Sequence, residues 1–189
     1  MRVVLLTLII AFTPAGFRQA QAITEQPGIR ILHAELDFRP GKGYVLNADI
    51  DNRLSETAIE ALRNGVPLTL QLHLRIRREG AWWWESGLIE EWRQFGIRYH
   101  SLIKLYQLTQ QETGQTSNFA SLNALLERLG AMRELPVLTH LRLDAGQRYR
   151  AKLAMQLDLE SLPLPLRPFA YFNAEWTLSS PWYRWSFAG

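Results

Sequence analysis

From Leu68 to Arg77 every second side chain is apolar: Leu68, Leu70, Leu72, Leu74 and Ile76 alternate with Thr69, Gln71, His73, Arg75 and Arg77. Successive side chains of a strand point to opposite faces, so this ladder dictates a strand with one face in a core and the other in water. A helix would scatter the same leucines around its circumference. The pattern returns where Tyr149, Ala151, Leu153, Met155, Leu157 and Leu159 alternate with Arg148, Arg150, Lys152, Gln156, Asp158 and Glu160, and earlier where Leu46, Ala48 and Ile50 alternate with Asn47, Asp49 and Asp51. Half-buried ladders this far apart in the chain need a common core.

The remaining segments fit the same plan. Residues 29–38 read as a strand, followed by a turn at Pro40, Gly41, Lys42 and Gly43. Ser55 can cap a short helix that buries Ala58, Ile59 and Leu62 and stops at Gly65. Glu79 and Gly80 turn the chain into the tryptophan segment EGAWWWESG, which continues towards Trp92 or Phe95. Gly96 is expected to turn it once more into a strand over residues 97–109, with Ile97, Tyr99, Ile103 and Leu105 on one face. Residues 113–118 read as a polar loop. Ser121 opens the clearest helix, with Leu122, Leu125, Leu126 and Leu129 at helical spacing before Gly130. A connecting stretch holds Pro136. The prolines of LPLPLRP predict an extended link over residues 162–168. Short strands over residues 176–178 and 182–187 close the chain. The expected fold is an antiparallel β-sandwich, immunoglobulin-like in outline, with about seven strands and two short helices.

Residues 1–22 carry Arg2, an apolar run through Phe12 relieved only by Thr7, the breakers Pro14 and Gly16, and finally Ala20, Gln21 and Ala22. That is the pattern of a secretory signal cut after Ala22, leaving residues 23–189 as a single domain. The run falls short of the roughly 20 residues that span a bilayer, and an uncleaved anchor is the alternative. Removing Arg2 and Arg18 takes the count from 21 cations against 18 acids to 19 against 18. A nearly neutral mature chain gives no reason to expect nucleic acid as a partner, nor is an integral membrane protein expected. With no cysteine, lipobox anchoring, disulfides, thiolate catalysis and cysteine metal sites are excluded. A periplasmic location follows.

Chemistry-bearing motifs are scarce. His33, His73, His100 and His140 lack the short spacing of a metal site, and His73 and His100 read as solvated strand histidines. No G-x-S-x-G, phosphate-cradling loop or dinucleotide fingerprint is present, and no cofactor or metal is expected. Glu85, Glu90 and Glu91 lie near Trp82 to Trp84 and Trp92, a combination that sugar-processing clefts use, although separation in space decides that chemistry. Trp82 and Trp84 share one strand face and Trp83 takes the other. Indoles at sheet edges are one reading; an exposed patch containing Trp83 or Trp185 is the functional one.

The run Trp82 to Glu85, the stretch Arg98, Tyr99, His100, Ser101, Leu102, the helix opened by Ser121, the segment Leu164 to Pro168 and the ending Leu178, Ser179, Ser180, Pro181, Trp182, Tyr183, Arg184, Trp185 together resemble a family of exported proteobacterial proteins, domain of unknown function 4390. The resemblance implies a single-domain envelope protein, often encoded beside a membrane sensor kinase of the nitrogen-regulation type, and carries over no catalytic residue. The expectation is therefore a non-catalytic periplasmic binding or accessory module for an envelope protein partner, with a sensor kinase as candidate. Trp83, Trp185, Arg98 and His100 are the first residues to test. The alternative is a glycan or lipid binder with a groove lined by Trp82, Trp84 and Tyr99, with hydrolysis by Glu85 or Glu90 as its enzymatic extension.

Overall fold

A computed structural model describes residues 27–81, 89–138 and 142–189. Among them nine strands and three helices follow in the order β1 (Gly28–Arg39), β2 (Gly43–Arg53), α1 (Glu56–Arg63), β3 (Leu68–Arg78), β4 (Ile89–His100), β5 (Leu105–Gln110), β6 (Gln115–Phe119), α2 (Leu122–Gly130), β7 (Ala131–Leu138), β8 (Arg148–Leu157), α3 (Arg167–Phe172) and β9 (Tyr183–Ala188). The strands form two antiparallel sheets, β1-β2-β7 and β6-β5-β4-β3-β8-β9. The tryptophan run of residues 82–84, Glu85, His140 and the leader with its cleavage point lie outside the described residues.

The ladders behave as their period demands. Leu46, Ala48 and Ile50 of β2 face Leu70, Leu72, Leu74 and Ile76 of β3 and Ala151, Leu153 and Met155 of β8 across one buried core. Arg93 of β4 ties the two sheets together on one side, donating to the carbonyls of Pro136 (3.1 Å) and Val137 (3.0 Å) on β7 while Glu91 holds its other nitrogen at 2.8 Å.

The strand order is that of an immunoglobulin-like sandwich: β1-β2-β7 take the A-B-E positions and β9-β8-β3-β4-β5 the G-F-C-C′-C″ positions. A second mark of that plan is Tyr149 at the start of β8, whose hydroxyl accepts from the backbone N–H of Asp144 at 3.0 Å. The strand in the D position, β6, stays paired to β5 instead of joining the smaller sheet.

Several local expectations are corrected. Residues 115–119 are a strand and not a loop; β5 supplies their backbone partners, and a polar sequence suits a short, solvent-washed edge. The chain runs straight through Gly96 and turns instead at residues 101–104, where Lys104 takes the left-handed conformation at φ 53°. The stretch holding Pro136 is β7, a sheet edge where a missing N–H is tolerated. Residues 162–168 are not extended throughout: a turn closes with Leu166 N–H on the Pro163 carbonyl (2.9 Å), and Pro168 sits in the first turn of α3, the one helical place that suits it. β8 ends at Leu157, and Trp176, expected to open a short strand over residues 176–178, instead closes a 3-10 turn over Ala174–Trp176. Both predicted helices stand, each capped as read: Ser55 accepts from Ala58 N–H and Ser121 from Ala124 N–H, both at 3.2 Å.

Candidate functional site on the outer sheet face

The wet face of β3 carries Gln71, His73, Arg75 and Arg77, and register decides what stands beside them. His73 pairs with Trp92 on β4 and Ala154 on β8; Arg75 pairs with Glu90 and Lys152; Arg77 pairs with Arg150. On the next strand Arg184 stands opposite Lys152 and Ser186 opposite Arg150. Two rows thus cross the outer face of the six-stranded sheet, one aromatic and one charged.

In the aromatic row His73 stacks on Trp92 with ring centres 3.5 Å apart and planes 17° from parallel. Trp182, just before β9, meets the same imidazole edge-on at 5.0 Å. His73 is accordingly only 6% exposed although it belongs to the polar face. This corrects the solvated reading: two indoles, not the core, take the ring out of water. Trp92 remains 41% exposed and forms the open aromatic surface of the row.

In the charged row the Arg75 guanidinium touches everything nearby. Its Nε lies 3.1 Å from His73 Nε2 and 2.6 Å from Glu90 Oε1, and its Cζ sits 5.3 Å from the centre of the Trp182 ring. An imidazole accepting from arginine at Nε2 is neutral and carries its proton on Nδ1. Burial first, and the Arg75 charge second, hold the His73 pKa below its usual value, against the pull of Glu90 3.8 Å away.

The surrounding charge is one-sided. Arg75, Arg77, Arg78, Arg148, Arg150, Lys152 and Arg184 crowd this face and its rim, against Glu79 and Glu90. Glu79 is engaged by Arg148 (3.4 Å) and Arg150 (3.2 Å). Arg77, Arg78 and Lys152 have no carboxylate partner among the described residues. A depression of about 330 Å³ opens between Arg75, Arg77, Arg78, Glu79, Arg150 and Lys152. In a chain whose charges otherwise nearly cancel, this is a concentrated anion-attracting surface beside stacked aromatic rings.

The model of the family described as Domain of unknown function (DUF4390) matches residues 26–186. The chain belongs to this family. No curated protein and no solved structure matches it.

The DUF4390 fold distributes the residues singled out from sequence. Arg98 and His100 stand on the outer face of β4, at the far end of the strand from Ile89; Arg98 is exposed, and His100 Nε2 lies 3.2 Å from Gln107 Oε1. Tyr99 turns to the inner side, half-buried against Tyr106 with ring centres 4.7 Å apart. Trp185 also faces inward, packed on the core with its Nε1 buried and without a hydrogen-bond partner among the described residues. These four are not brought to the His73 row, and Trp82, Trp83 and Trp84 lie outside the described residues. Glu90 and Glu91 point to opposite faces of β4, one held by Arg75 and the other by Arg93, so this pair does not converge on a common substrate. No group of His, Asp and Glu able to hold a metal ion occurs among the described residues. Alternation placed His73 and Arg75 on one face of the DUF4390 sheet; only register brought Trp92 and Trp182 to them.

Proposed function

We propose that this DUF4390 chain is an exported, non-catalytic accessory module of the cell envelope that binds an acidic segment of a protein partner across the outer face of its six-stranded sheet. The observation that carries the reading is the one-sided charge beside the stacked rings: Arg77, Arg78 and Lys152 have no carboxylate partner among the described residues, and Trp92 offers an exposed aromatic face on the same side of the sheet. Carboxylates of an acidic segment would pair with the cations while an apolar or aromatic residue of the same segment covers Trp92. The leader over residues 1–22 supports export to the periplasm with cleavage after Ala22. A membrane sensor kinase is the candidate partner that the family resemblance suggests. His73 serves as a neutral spacer between the indoles and an acceptor that orients Arg75.

The test is capture from envelope extract with the tagged protein and with an Arg75→Glu, Lys152→Glu variant. Both positions are on the solvent side, so the fold is expected to survive, which circular dichroism checks. Wild-type protein should recover one partner that the variant loses at least tenfold. Recovery of cell-wall fragments alone, or equal recovery by the variant, overturns the reading. The exposed indole of Trp92 also favours a second reading, a glycan stacked on that ring, and a Trp92→Ala variant that loses cell-wall binding while Lys152→Glu keeps it would establish that one.

A further inference from the structure

The opposite end of the molecule has a different character. Of the nine large apolar side chains exposed among the described residues, six lie there: Leu102, Ile103, Leu164, Phe169, Tyr171 and Phe172. Leu102 and Ile103 form the tip of the β4–β5 turn, 98% and 63% exposed; Phe172 is 93% exposed on α3 and Leu164 and Phe169 are 73% exposed. Register puts both elements at one end. Leu68, at the start of β3, pairs with Ile97, four residues before the turn, and Leu70 pairs with Leu157, after which the chain passes to α3. This tip is a firm feature, since Lys104 closes the turn in the left-handed region and β4 and β5 are paired up to His100 and Leu105. α3 is likewise held, by buried Ala170 and by Arg167 Nε on the Leu162 carbonyl at 2.8 Å.

We infer that this end docks on a lipid bilayer, with the β4–β5 tip and α3 inserting side by side into the headgroup region. Two observations choose lipid over a protein surface. The apolar groups project from two separate elements as knobs, which a deformable, fluid surface can cover together. Their flanks carry Arg98 and Lys104 for anionic headgroups, while the nearby Glu160 is engaged by Arg167 (3.5 Å) and by the Tyr171 hydroxyl. The second observation is where the chain enters. Gly28 pairs with Arg53, two residues before the Ser55 cap of α1, and Ser55 Oγ donates to the Glu175 carbonyl at 2.6 Å beside α3. The apolar run that ends at Phe12 is therefore joined to the fold at this same end, through no more than 15 residues from Thr13 to Pro27. Until the leader is cut after Ala22, that run holds this same end of the fold within a short tether of a bilayer. The inference rests on export only for this delivery; the docking itself is tested without a cell.

The chain has no cysteine, so single cysteines report cleanly. Leu102→Cys, Phe172→Cys and, as a control at the far end of β1, Phe38→Cys are labelled in the full chain with a polarity-sensitive bimane and mixed with phosphatidylethanolamine–phosphatidylglycerol vesicles containing doxyl-lipid quencher. Labels at 102 and 172 should shift to the blue and be quenched at least threefold more than the label at 38. Three outcomes overturn the inference: equal quenching at all three sites, no quenching at 102 and 172 while the protein floats with the vesicles through its leader, or a blue shift at 102 and 172 that grows with protein concentration in the absence of lipid, which would mark a contact between copies. The acidic-segment reading stands or falls separately on Arg75 and Lys152.

Discussion

His73 shows how a single side chain can belong to a wet face and still be dry. Its pKa is depressed, so the folded chain resists the proton that the unfolded chain accepts near the usual histidine value of 6.5. Below that value the unfolded state binds more protons than the native one, and stability falls as the pH drops through the window beneath 6.5; above it the effect vanishes. A His73→Gln variant should show a flatter dependence of urea stability on pH between about 5 and 6.5 than the wild type, and equal slopes would refute the assignment. NMR titration gives a direct reading: replacing Trp92 by Ala uncovers the ring and should move its pKa back up. Neither feature was legible from alternation, which places a residue on a face but is silent about what the neighbouring strand lays over it. Trp185 is the complementary case. The sequence leaves Trp185 open as a sheet-edge indole or as part of an exposed patch, whereas its place opposite Ala151 on the inner side of β9 sends the indole inward.

At the level of elements, caps and long ladders were readable because their causes are local. Ser55 and Ser121 satisfy the first free N–H groups of their helices, and period two sorts β2, β3 and β8 into faces. What was not readable depends on a partner strand: β6 has too polar a sequence to announce itself, β7 contains a proline, and Gly96 looks like a stop signal yet lies within a strand. Gly130 earned its place differently. A Cβ there would lie 2.2 Å from the Ile50 carbonyl oxygen, so α2 can approach β2 only because the residue is glycine. Gly130→Ala must push α2 off the sheet and should cost about 1–3 kcal/mol, read as a lower urea midpoint with an unchanged slope. An unchanged midpoint would mean that α2 does not sit as closely as described.

For the whole molecule, two stacked antiparallel sheets were foreseeable from the ladders, but their membership was not. The turn at Glu79 and Gly80 predicts a meander in which β4 flanks β3, as it does; nothing in the pattern of β8 says that it takes the other side of β3, which follows from immunoglobulin-like order, with the Tyr149 corner as its local signature. Where such domains often carry a disulfide between their B and F strands, this chain packs Leu46 and Ala48 of β2 and Leu153 and Met155 of β8 into the same core. Charge also organises at this scale. Binding across the cationic face should weaken steeply as salt rises towards 1 M, where screening acts within about 3 Å, whereas anchoring by Leu102 and Phe172 should persist. Titrating partner and vesicles over one salt series separates the two.

The straight run of β3 between these two ends has a consequence for reach. Its 11 residues span about 35 Å at the usual strand rise, with Leu68 beside the apolar knobs and Arg78 at the rim of the charged depression. On the arrangement proposed here β3 is a ruler standing on the bilayer. A partner whose acidic stretch leaves the membrane directly would pass beneath the reading height, and only one held aloft on a stalk or a folded domain would be met.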